Sequence, residues 1–179
     1  PANNDFAYET WNSGLADPRI VHIFVEHLDE NTSSPKVSPI PMGMNPSEFA
    51  PSLKNVGTDA ILRGWEEHPL EQRPMRMLFA NRVRDGKGQW ADRAHARNLC
   101  RTSWSTFCTE GGAPSDKFIE YLRTFSFVLC VHGGGIDPNP MVWTTLLAGA
   151  IPIVPTFPGF DGIYRETKLP VVEIDGLTE

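Results

Sequence analysis

The sequence predicts an α/β domain in which a mainly parallel sheet is flanked by helices, and three observations carry that prediction. Phe127 to Val131 (FVLCV) is a continuous apolar run, the pattern of a strand buried on both faces. His132-Gly133-Gly134-Gly135 follows, and then Asn139-Pro140, a pair suited to cap and open a helix over Met141 to Ala148. Gly149 fits the position just past that helix, and Ile151-Pro152-Ile153-Val154 begins a second apolar strand. Strand, turn, helix and strand in this order give a Rossmann-like layered arrangement. The turn offers a ligand side-chain-free backbone and the positive end of a helix dipole, which suits an anion and most naturally a phosphate.

The remaining elements follow in chain order. Ile20 to Leu28 reads as a strand, and Lys36 to Met44 as an extended segment whose prolines place it at an edge or in a linker. Thr58 to Glu67 predicts a helix capped by Thr58 or Asp59, with Ile61, Leu62 and Trp65 on one face. Arg76 to Arg82 reads as a strand leading into the polar loop RVRDGKG. Asp92 to Arg101 follows as a helix, with Ala96, Leu99 and Cys100 on its buried side. Ser115 to Phe125 predicts a further helix, capped by Ser115 or Asp116, with an apolar stripe of Phe118, Ile119, Leu122 and Phe125. Val171 to Ile174 closes the series as a strand. No internal repeat or low-complexity tract interrupts it.

At 179 residues, with 40% apolar and 10% aromatic content, the chain can build one proper core. A net charge of −6 argues against a general nucleic-acid binder. The charge is uneven, however. Arg73, Arg76, Arg82, Arg84, Lys87, Arg93, Arg97 and Arg101 face only Asp85 and Asp92 within the same stretch, eight positive against two negative. A local basic surplus in an acidic protein is what an anionic small molecule requires. No stretch has the roughly 18 apolar residues of a membrane span, so no membrane contact is expected from this segment. Cys100, Cys108 and Cys130 show no metal-binding spacing; Cys130 reads as core, while Cys100 and Cys108 either pair or stay reduced. Asn31-Thr32-Ser33 is a lone glycosylation sequon.

Gly133, Gly134 and Gly135 are the leading binding candidates, because three consecutive glycines exceed the need of one tight turn. They do not make G-x-G-x-x-G, whose last position falls on Pro138, so a nicotinamide dehydrogenase is disfavoured. His132, at the strand end, is a candidate acid, base or hydrogen-bonding group. Asp137 is left available for a sugar or ribose hydroxyl if Asn139 takes the cap. Trp143 reads as core. Arg82 and Arg84 follow a strand end and can fork onto phosphate oxygens without a metal. Arg93, Arg97 and Arg101 recur every four residues and read as a surface ridge. Asp161, Tyr164 and Arg165 follow the 151–155 strand, where a donor base or sugar would contact the loop. No D-x-D triplet, paired-histidine spacing or G-x-S-x-G elbow is present, so neither a protein-held catalytic metal nor a serine hydrolase is expected.

The motifs FVLCxxGGGxDP, WxxLLxGAIPIV, Tyr164 and Leu169-Pro170-Val171-Val172 resemble the donor-binding half of exostosin-like glycosyltransferases, which are GT-B enzymes. Upstream, Pro35-Lys36-Val37 with Ile40-Pro41-Met42-Gly43 resembles the family's entry to that domain, and Met77 to Arg82 its first donor-domain strand. The resemblance implies transfer of a sugar from a nucleotide-diphosphate sugar to a hydroxyl of a carbohydrate or glycoprotein acceptor. It implies a diphosphate held at Gly133 to Gly135 and neutralised by Arg82 or Arg84, with His132 and Asp137 in catalytic roles and Asn139, Thr144 and Tyr164 on the substrate. Residues 1–45 would then end an acceptor-side region or linker, and 46–179 would form the truncated donor domain. The chain, beginning at Pro1, reads as a fragment, and the Golgi or secretory lumen would be the location for a eukaryotic member. Two family positions differ: Met141 stands where a basic residue is usual, and Thr144 where a Glu is usual. A catalytically degenerate nucleotide- or sugar-binding module with the same fold is the alternative.

Overall fold

The computed structural model describes residues 13–25, 34–40, 43, 58–84, 89–132, 139–156 and 168–177. Two short strands, β1 (Ile23–Val25) and β2 (Val37–Pro39), pair in parallel as a separate two-stranded sheet. Helix α1 (Thr58–Glu67) has the bounds its sequence predicts and leads through a 3-10 turn, Leu70–Gln72, to β3 (Met77–Phe79). Then come α2 (Gln89–Arg101), β4 (Cys108–Glu110), α3 (Phe118–Leu122), β5 (Phe127–Leu129), α4 (Met141–Leu147), β6 (Ile151–Pro155) and β7 (Val172–Ile174). The second sheet has five strands in the order β4-β3-β5-β6-β7, and every pairing is parallel. The predicted α/β layered fold is therefore present.

The apolar runs have a direct cause. Consecutive strand residues alternate between two hydrophobic layers, so both faces need apolar side chains. Leu78, Val128, Cys130 and Val154 face the layer that includes Ile119, Leu122 and Val142 of α3 and α4. Met77, Phe79, Leu129 and Val131 face the layer that includes Ala96 and Cys100 of α2. Helices on both faces make the sheet doubly wound.

Three local expectations change. The predicted 115–125 helix is confined to Phe118–Leu122, flanked by turns, and neither Ser115 nor Asp116 caps it: Lys117 occupies the cap position without a side-chain hydrogen bond. Strand β4 has no counterpart in the sequence reading, because Cys108-Thr109-Glu110 is short, half polar and at the sheet edge. The strand predicted over 76–82 stops at Phe79, which leaves Asn81 and Arg82 in the connection beyond it. At the end of α4, Gly149 adopts φ +69°, the left-handed conformation expected past a helix end, and an added Cβ would lie 2.8 Å from the Trp65 ring.

Cys100 and Cys108 are joined in a disulfide that pins the last turn of α2 to the start of β4, and both are buried. Replacing both by Ala should lower stability by about 2–3 kcal/mol, the amount a short closed loop provides. A shift of the urea midpoint at unchanged slope would measure it. Cys130 is the core thiol the sequence suggests; burial pushes its pKa up to about 12, so it is not a nucleophile at neutral pH.

Candidate functional site

The strand order defines where a ligand belongs. From β3 the chain winds outward to β4 and then crosses to β5 on the other side of β3. The connections leaving β3 and β5 thus diverge to opposite faces, and in doubly wound sheets the ligand crevice lies beyond such carboxyl ends. Asn81, Arg82, Arg84, His132 and Asn139 all lie on these two connections. Of the sequence candidates, Arg82, Arg84, His132 and Asn139 thus follow the carboxyl ends of β3 and β5.

Side chains fix the crevice floor. Asn81 donates through Nδ2 to the carbonyl of Leu129 (2.6 Å). Asn139 donates through Nδ2 to Asn81 Oδ1 (2.8 Å) and to the Val131 carbonyl (2.9 Å). The Asn139 Oδ1 accepts from the Met141 N–H (3.1 Å), so Asn139 does cap the start of α4 beside a helical Pro140. Its role here is to tie the mouth of the crevice together, and Asn81 is its partner. No residue pattern singled out Asn81, because a buried asparagine becomes intelligible only with the carbonyls it must satisfy.

Arg93 needs correction. The four-residue recurrence placed it on a surface ridge with Arg97 and Arg101, yet it is buried at 8% exposure. Its Nε donates to the His132 carbonyl (2.8 Å), its Nη1 to that of Arg82 (2.9 Å) and its Nη2 to that of Val131 (3.2 Å). One guanidinium therefore joins α2 to both connections that bound the crevice. Arg101 does lie on the surface, ion-paired with Glu110.

Arg82 and Arg84 are exposed at the β3 end of the crevice, and the Arg84 guanidinium stands 5.1 Å from the Trp90 ring centre. Arg93 stands 5.2 Å from the same ring centre, so Trp90 meets a cation from α2 and another from the β3 connection. His132 is buried, with Nε2 3.0 Å from Asp92 Oδ2. Burial, helped by the nearby Arg93 charge, lowers the imidazole pKa against the opposing pull of Asp92, which favours the neutral ring at pH 7.

Thr144 is not brought to the crevice surface. It is buried at 1% exposure inside α4, and its hydroxyl donates back to the Pro140 carbonyl (3.3 Å), as helical threonines commonly do. Trp143 is partly buried, with its indole N–H enclosed. Gly133, Gly134, Gly135, Asp137, Asp161, Tyr164 and Arg165 lie outside the described residues. Among the described residues no cluster of three metal-ligating side chains occurs, and no helix is long and apolar enough to cross a membrane.

The chain is a doubly wound α/β domain with exposed Arg82 and Arg84 and the hydrogen-bonded Asn81 and Asn139 at its switch point. No family model matches the chain, and no curated protein matches it.

Proposed function

We propose that this chain is the donor-binding part of a glycosyltransferase of the GT-B, exostosin-like kind, taking a nucleotide-diphosphate sugar as its substrate. The observation that carries the reading is the convergence at the switch point: Arg82 and Arg84 are exposed on the connection leaving β3, and His132 stands on the connection leaving β5. Two arginines can neutralise a leaving diphosphate without a metal. The resemblance of residues 127–172 to that family supplies the chemistry, and carbohydrate or glycoprotein hydroxyls are the acceptors it implies. The buried Cys100–Cys108 disulfide suits an oxidising compartment such as a secretory lumen.

A degenerate binding module is the second reading, favoured by one observation. The positions where the family places a basic residue and a Glu hold an apolar Met141, packed against the core cluster, and a buried Thr144. A thermal-shift panel of UDP, GDP, ADP, CMP and their sugars tests donor binding, since a ligand of the folded state raises its stability by mass action. One diphosphate should outperform the rest, and Arg82→Ala should abolish most of its shift. A flat panel would remove the proposal.

A further inference from the structure

His132, the histidine that chain order puts at the crevice, is poorly placed to exchange a proton with a substrate. Its side chain is 9% exposed, and its Nε2 is directed at Asp92. A carboxylate can only accept, so the neutral ring places its proton on Nε2 and donates it to Asp92 Oδ2. Asp92 is the open end of this pair. Its side chain is 40% exposed, and Oδ1 has no hydrogen-bond partner among the described residues. It stands in the first turn of α2, one residue before Arg93, whose guanidinium fixes the backbone carbonyls of both Arg82 and His132. The carboxylate is thereby held by the buried His132, on a helix that Arg93 ties to the connections leaving β3 and β5.

We propose that Asp92 is the general base of sugar transfer and that His132 is its positioning residue; this rests on the donor-binding reading above. Asp92 Oδ1 takes the proton of the acceptor hydroxyl as that oxygen forms its bond to the anomeric carbon. The bond from the anomeric carbon to the β-phosphate oxygen breaks, and its electron pair leaves on the nucleoside diphosphate, where Arg82 and Arg84 balance the charge. The proton then passes from Asp92 to solvent. Attack opposite the leaving group inverts the anomeric centre. The His132 N–H orients the carboxylate so that one oxygen remains free for the acceptor.

The test uses the full chain and its Asp92→Asn, Asp92→Glu and His132→Asn variants. UDP and GDP binding is measured by calorimetry. Diphosphate release is measured from UDP-glucose, UDP-N-acetylglucosamine and GDP-mannose, with lactose and cellobiose as acceptors. Asn is isosteric and still accepts from His132, so Asp92→Asn should keep its melting temperature and donor KM. Its kcat should fall by about 100-fold or more, the range of a lost general base. Asp92→Glu should recover part of that loss, and His132→Asn should lower kcat less than Asp92→Asn does. Turnover of Asp92→Asn equal to wild type, or a product of retained anomeric configuration, overturns the assignment. Diphosphate binding without release from any donor also overturns it while leaving donor binding intact. Absence of any nucleotide binding removes the donor reading itself.

Discussion

Arg93→Ala is expected to destabilise the fold by about 3 kcal/mol, because several buried carbonyls each lose a charged donor at a cost of roughly 1 kcal/mol or more. The carbonyls of Arg82, Val131 and His132 belong to two connections that leave the sheet toward opposite faces, and no other described side chain reaches both of them and α2. The substitution should therefore loosen the crevice as well as the core. Arg93→Lys preserves charge and most of the length, but a single ammonium cannot fork onto three carbonyls. It should recover only part of the loss. Urea unfolding at fixed pH measures both variants, and a change below about 0.5 kcal/mol for Arg93→Ala, the range of an ordinary surface substitution, would show that the guanidinium is not the clamp its geometry implies.

The same residue shows where sequence reading ends. Periodicity places Arg93, Arg97 and Arg101 along one side of a helix, and charge then argues for solvent. What buries Arg93 is the backbone that turns over it from β3 and β5, a tertiary arrangement no local pattern encodes. Strands β3, β5 and β6 were legible because burial on both faces demands uninterrupted apolar side chains, as Leu78 and Phe79 or Val128 and Leu129 show. Edge strand β4 was not, because Cys108-Thr109-Glu110 is held by its partner β3 rather than by its own composition. Thr144 illustrates the opposite error. Motif position suggested a substrate contact, whereas helix geometry turns the residue into the packed face of α4. Asn139 was legible as a cap, but its second link, to Asn81, required the strand order.

The basic surplus between residues 73 and 101 divides in space into groups with different work. Arg82 and Arg84 are exposed at the crevice, Arg93 lies beneath it, Arg76 donates to Thr109 Oγ1 on the neighbouring strand, and Arg101 pairs with Glu110. Electrostatic attraction for an anion thus rests on fewer cations than the sequence count suggests. The clearest structural member is Arg73, at the opposite end of the sheet.

Arg73→Met should cost about 3 kcal/mol while leaving the crevice untouched. Arg73 is 8% exposed, and its guanidinium donates to the carbonyls of His68 (2.7 Å), Ala148 (3.1 Å) and Phe125 (3.3 Å). Those carbonyls precede β3, β6 and β5, so one side chain joins the entries to three strands. Burial lowers the arginine pKa and repulsion from Arg123 adds to that, with Glu71 opposing; neither removes the charge at neutral pH. Methionine keeps an unbranched apolar stem of similar reach, which limits cavity formation and isolates the loss of three hydrogen-bond donors. For a chain of this size the melting temperature should fall by about 6–12 °C. A diphosphate that binds at the switch point should bind this variant as it binds wild type when both are measured well below melting. Equal stability would mean that the three carbonyls are satisfied by water. Weakened binding would mean that the two ends of the sheet are mechanically coupled, since nothing in Arg73's own contacts reaches the crevice.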